Sequence, residues 1–164
     1  DAAHIADAAS LALKLDAEEL DRQIDRIRAS VDSDPRLAIG TAKELVETTC
    51  KAILDARSAP VNPSWDAVQL VKHTRAELDL LPESVSEAAR DADFIRRLMS
   101  SLATLAPGLA ELRNSYGNGH GPTTHTRGRQ PRHARLAAGV ATTLVTFLWE
   151  THEARPQTVR GSNA

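Results

Sequence analysis

Leu20, Ile24, Ile27 and Val31 fall at spacings of three and four residues, which lays one apolar stripe along a helix. The same spacing returns in Leu37, Ala38, Ala42, Leu45, Val46, Thr49, Ile53 and Leu54. It returns again in Phe94, Ile95, Leu98, Met99, Leu102, Leu105, Leu109 and Leu112, and in Leu136, Val140, Leu144, Phe147 and Leu148. Alternation with period two is scarce and aromatic residues make up only 3% of the chain, so little is left from which to build strands. Ala, Leu, Glu and Arg, all abundant, favour helix. The reading is all-α: an up-and-down bundle of four principal helices with one or two accessory ones.

Breaks in the pattern set the expected boundaries. A weakly amphipathic helix is expected over residues 4–15. Asp16 opens a stronger one, with Glu19 three residues on as a capping-box partner. Asp34 reads as the N-cap of the next helix and Pro35 as its first residue, with the helix running to about Arg57. Ser64 is expected to cap a helix through about Leu80 that carries Trp65, Val68, Leu70, Val71 and Leu78. A long helix is expected from Ser84, with Glu87 in its first turn, kinked at Pro107-Gly108 and ended by Gly117. Residues 117–130 read as a loop rich in Gly, His and Arg. Pro131 opens a final helix that stops before Pro156. One domain is expected over 1–156, and a polar, flexible tail over 157–164.

Composition excludes several classes. The formal net charge is −2, so affinity for nucleic acid has to come from a local patch. A lone cysteine, Cys50, rules out an internal disulfide framework and any multi-Cys zinc site. It fits a reducing, cytoplasmic setting, with Cys50 buried as a small hydrophobe beside Val46 and Ile53. No apolar run approaches the roughly 20 residues of a membrane span. The start, Asp1-Ala2-Ala3-His4, has no basic-then-apolar signal and no methionine, as a fragment of a longer protein would.

The 22 acidic residues are all absent between Leu112 and Trp149, where Arg113, Arg127, Arg129, Arg132 and Arg135 stand. Glycines 117, 119, 121 and 128 and histidines 120, 125 and 133 share that stretch. The final helix adds its positive dipole end and free N–H groups near Arg132. An anion is expected to settle there, with Arg127, Arg129, Arg132, His133 and Arg135 as candidate phosphate contacts. Arg132 and His133 read equally well as exposed helix-start residues. His120, His125 and His133 lack a cysteine or carboxylate to complete a zinc site, so no metal and no cofactor is expected.

The most chemical segment is Arg113-Asn114-Ser115-Tyr116-Gly117-Asn118-Gly119-His120-Gly121. On an unbroken helix Arg113 and His120 would lie about 10 Å apart along the axis, too far to grip one phosphate. Gly117 and Gly119 break the helix and let the chain turn back, or let His120 reach a partner's site. An arginine suits phosphate, and a histidine exchanges protons near neutral pH. Such a pair can promote attack of an RNA 2′-OH on the neighbouring phosphorus without a metal; DNA lacks that hydroxyl. Asn114 is placed to steady either side chain by a hydrogen bond.

These residues resemble the Arg-x4–6-His motif of the HEPN superfamily, in its six-residue form with a polar residue after the Arg. Over about residues 16–155 the chain also resembles the C-terminal domain of abortive-infection proteins. Asp34-Pro35-Arg36-Leu37-Ala38-Ile39-Gly40-Thr41-Ala42-Lys43-Glu44-Leu45 carries that likeness, with the Arg113–Gly121 segment, Arg132-His133-Ala134-Arg135-Leu136-Ala137 and Thr151-His152-Glu153. The resemblance implies a helical-bundle ribonuclease that works as a homodimer with a shared active-site cleft. It implies antiphage defence or toxin activity, an antitoxin or sensor as partner, and Arg113 and His120 as the catalytic pair. The tyrosine that some members carry two residues after the motif histidine is Pro122 here. The competing class is a non-catalytic RNA-binding or oligomerisation domain of a larger defence protein. Outside the motif, Lys43 and Glu44 read as ordinary helix-pairing residues. His73 and His152 read as surface residues, and Trp65 and Trp149 as core or interface anchors.

Overall fold

The computed structural model describes residues 17–117 and 131–155, with the side chains of 113–117 left aside. Every regular element among the described residues is a helix: α1 Ala17–Ser30, α2 Pro35–Ala56, α3 Ala67–Glu77, α4 Ala92–Gly117 and α5 Pro131–Ala154, with a 3₁₀ turn at Pro82–Ser84. The expected helix over 4–15 and the tail over 157–164 lie outside these residues.

Helix α2 packs against each of the other four helices, and most extensively against α5. Alanines explain that closeness. Ala38 and Ala42 on α2, and Ala134, Ala137, Ala138 and Ala141 on α5, are all buried. Small side chains let two helix axes approach, and Ile39, Leu45, Leu144 and Leu148 belong to the same buried core. This corrects the sequence pattern. Leu37 and Leu136 are exposed rather than inward, at 56% and 63%. Leu37 shares its face with exposed Glu44, and Leu136 with exposed Thr143 and Glu150. The buried stripe of α5 is mostly alanine, which a count of large apolar residues passes over. Phe94 and Leu98, at 56% and 47%, are also exposed at the start of α4.

Caps explain the shifted boundaries. Asp34 caps α2 as expected, its Oδ1 accepting from the Leu37 N–H at 3.1 Å. Helix α3 is capped by Asp66 and not Ser64; the Gln69 N–H donates to Asp66 Oδ1 at 2.9 Å. Ser64 instead donates its hydroxyl to Asn62 Oδ1 at 2.8 Å, which closes the loop before the helix. Both α2 and α3 end without glycine. Ser58 and Asp79 take left-handed φ values of 53° and 54°. The Ala59 N–H then reaches back to the Leu54 carbonyl, and the Leu80 N–H to the Arg75 carbonyl. A third left-handed residue, Asp91 at φ 60°, delays α4 to Ala92 instead of Ser84. Pro107 lies inside α4, which continues through it to Gly117.

Contacts between the helix ends set the directions. Arg57, just after α2, donates to the Arg155 carbonyl just after α5 at 2.9 Å. At the other end Asp32, just before α2, meets Arg135 in the second turn of α5 at 2.6 Å. Helices α2 and α5 therefore run parallel, and both begin at the same end. The Met99 carbonyl accepts from Arg75 near the end of α3. Ala106 and Leu109, further along α4, are buried in the common core. Helix α4 therefore leaves the end near Arg75 and packs back along both α2 and α5.

Candidate active site

The end at which α2 and α5 begin gathers two helix N-termini. Neither helix has an acidic residue in its first turn. The partial positive charge of α2 is capped by Asp34, whereas Pro131, Arg132 and His133 open α5. Arg132 is exposed and His133 half-buried. Arg135, expected as a phosphate contact, is held in an ion pair: its Nη1 donates to Asp32 Oδ1 at 2.6 Å. Both side chains stay open to water, at 59% and 77% exposure, so the pair is worth about 1 kcal/mol at most. A phosphate can compete for a guanidinium held that weakly.

Arg113 and Asn114 occupy the last turns of α4, which ends at Gly117. His120, His125, Arg127 and Arg129 lie outside the described residues. Of the expected site, the structure therefore brings together Arg132, His133 and Arg135 at the start of α5. It supplies the helix on which Arg113 and Asn114 stand.

Asp32 is the residue that sequence reading missed. It lies 103 positions from Arg135 and carries no local sign of the pairing. Lys43, by contrast, pairs with Glu47 at 2.7 Å one turn away, as the helix register predicts.

The opposite end holds the groups expected at the surface. His152 is half-buried against Trp149, ring centroids 5.5 Å apart, with a buried Nδ1 that has no hydrogen-bond partner among the described residues. Burial lowers its pKa from the ordinary 6.5, and nearby Arg57 lowers it further, while Glu153 opposes. His73 is likewise not free on the surface but stacks on Trp65, centroids 3.8 Å apart and rings nearly parallel. Trp65 and Trp149 pack partly buried against the core. Cys50 is fully buried, and burial pushes its thiol up to about 12, so it stays protonated and unreactive.

A family model described as Abi_C, a HEPN-like domain, matches residues 18–152. No curated protein and no solved structure matches the chain. Among the described residues no helix is long and apolar enough to cross a membrane.

Proposed function

Because the chain belongs to the Abi_C family of HEPN-like domains, we propose that it is a metal-independent endoribonuclease acting in antiphage defence or as a toxin module. The observation that carries this reading is the Arg113-x6-His120 motif, which begins in the last turns of α4 inside the matched span. Arg113 binds the non-bridging oxygens of the scissile phosphate and offsets the charge that builds up on them. His120 takes the 2′-OH proton as general base or returns a proton to the leaving group as general acid. The 2′-oxygen bonds to phosphorus as the bond to the 5′-oxygen breaks, leaving a 2′,3′-cyclic phosphate and a 5′-hydroxyl. Asn114 orients one of the two side chains. Arg127, Arg129, Arg132, His133 and Arg135 draw the backbone toward the motif. The working unit is a homodimer in which two motifs share one cleft. An antitoxin or a sensor controls it in the cytoplasm.

The test uses single-stranded and hairpin RNA with EDTA present, comparing the parent protein with His120→Ala and Arg113→Ala. Cleavage that survives chelation and drops by roughly 10²-fold or more in both variants is expected. RNA that is bound but cut by no variant would leave only a binding module.

A further inference from the structure

Beside the Asp32–Arg135 pair a groove of about 410 Å³ runs between the last turn of α1 and the first half of α5, lined by Arg28, Asp32, Arg135, Gly139, Thr142 and Thr143. Three features make it more than a gap between helices. Two arginines line it, and both are held loosely. Arg28 lies 3.7 Å from Asp25 with 64% of its side chain exposed, and Arg135 meets Asp32 at 59% exposure. Two adjacent threonines add hydroxyl donors further along α5. Gly139 stands in the middle of α5, where glycine is a much poorer helix former than alanine. No packing demands it, since a Cβ there would meet nothing within 4 Å. Its effect is to keep the wall of the groove low.

We propose that this groove carries the RNA strand flanking the cleavage site, with Arg28 and Arg135 on successive phosphates, and that Asp32 holds the place of a phosphate until RNA arrives. The proposal rests on the reading of the protein as an RNA-cleaving domain and adds the path of the strand. The second turn of α5 puts Arg135 just past Arg132 and His133, so the groove extends the candidate site lengthwise along α5. The Asp32 carboxylate and a phosphate oxygen present the same kind of acceptor to the guanidinium. Binding RNA therefore exchanges one ion pair for another and leaves Asp32 facing a second negative charge. This predicts that Asp32 weakens binding. Phosphates are shared by RNA and DNA, so the groove should serve both equally, whereas cutting requires the 2′-OH.

The test measures binding of a 20-nucleotide single-stranded RNA, and of DNA of the same sequence, to the His120→Ala protein by fluorescence anisotropy across a salt series. Adding Arg28→Ala or Arg135→Ala is expected to weaken both ligands about fivefold. Each should flatten the salt dependence by about 0.7 in the log–log slope. Adding Asp32→Asn should tighten binding about threefold. Gly139→Leu, which fills the groove from a surface position and leaves the core alone, should weaken binding while the helical circular dichroism stays unchanged. RNA affinity unmoved by Arg28→Ala, Asp32→Asn and Gly139→Leu would overturn the groove. The ribonuclease reading would then stand or fall separately, on cleavage by protein that keeps His120.

Discussion

The two ends of the molecule use arginine in opposite ways. At the end where α2 and α5 finish, arginines turn inward onto backbone. Arg75 is buried at 4% exposure and donates from Nη2 to the Met99 carbonyl at 2.6 Å and to the Leu80 carbonyl at 3.3 Å. Arg57, with only 9% of its side chain exposed, reaches the Arg155 carbonyl and lies 3.8 Å from Glu77. Arg155 in turn donates to the Leu78 carbonyl. These guanidiniums join α2, α3, α4 and α5. At the end where α2 and α5 begin, Arg28, Arg132 and Arg135 keep their heads in water. A guanidinium held against backbone carbonyls is committed to the fold; one held by an exposed carboxylate remains available to a ligand.

The largest test of that contrast is Arg75→Met against Arg132→Met. Methionine retains much of the side-chain bulk, so the first change mainly leaves the Leu80 and Met99 carbonyls without their donor. It should destabilise the protein by about 3 kcal/mol in urea unfolding. Arg132→Met should stay within about 0.5 kcal/mol. Equal effects at the two ends would erase the distinction. Burial draws the Arg75 guanidinium below its ordinary value and nearby Glu83 partly restores it, so the buried charge already has some support from outside its hydrogen bonds. Next in size is Asp34→Ala at the open end. It removes the side-chain cap of α2 and should cost about 1 kcal/mol by the same measurement. Asp34→Asn, which keeps an acceptor, should recover most of that loss.

Much of this arrangement was legible in the sequence, and the exceptions share physical causes. The helical class followed from apolar spacing, and the starts of α2 and α5 from Asp34-Pro35 and Pro131. The end of α2 was read at Arg57, its C-cap, but the boundaries of α3 and α4 were harder: Asp79 does the work usually left to glycine after α3, and Asp91 breaks the chain before α4 with no proline or glycine at the break. The α2–α5 seam was hidden because alanine reads as filler in a hydrophobic pattern and yet decides how closely two helices approach. Leu37 and Leu136 attracted notice by size and proved exposed. At the candidate site the arginines of α5 were visible as a run of positive charge with no acid between them. Asp32 was not, because its meeting with Arg135 depends on α1, α2 and α5 all being in place. Arg113 and His120 were marked by chemistry alone.

A smaller effect should separate the ends by pH. His152 sits at the inward-facing end with its pKa lowered, so the folded protein favours the neutral ring, while the unfolded chain binds a proton near the ordinary 6.5. Stability from this residue is complete above that value and is lost as the pH falls through it toward the lowered one. Protonation there adds a positive charge beside Arg57, with Glu153 the counter-charge on its own helix. Thermal midpoints of the parent and of His152→Gln, measured from pH 7.5 down to 5.5, should diverge in slope, the variant being the flatter. Parallel curves would mean that the ring is no more desolvated than a surface histidine.

The smallest effect belongs to the pair at the open end, where a near-zero result is itself the prediction. The Arg135–Asp32 contact is short at 2.6 Å, yet distance alone does not make an ion pair strong. Water solvates both partners, and fixing two mobile side chains offsets most of the attraction. Asp32→Asn and Arg135→Met should each shift unfolding by no more than about 0.5 kcal/mol. The double variant should match their sum, since little energy couples the two residues. The difference between parent and variants should also shrink as salt rises, because exposed charges are screened within roughly 10 Å at 0.1 M salt. A coupling of 2 kcal/mol or more would make this pair structural like those around Arg75, and Arg135 could not then exchange Asp32 for a phosphate.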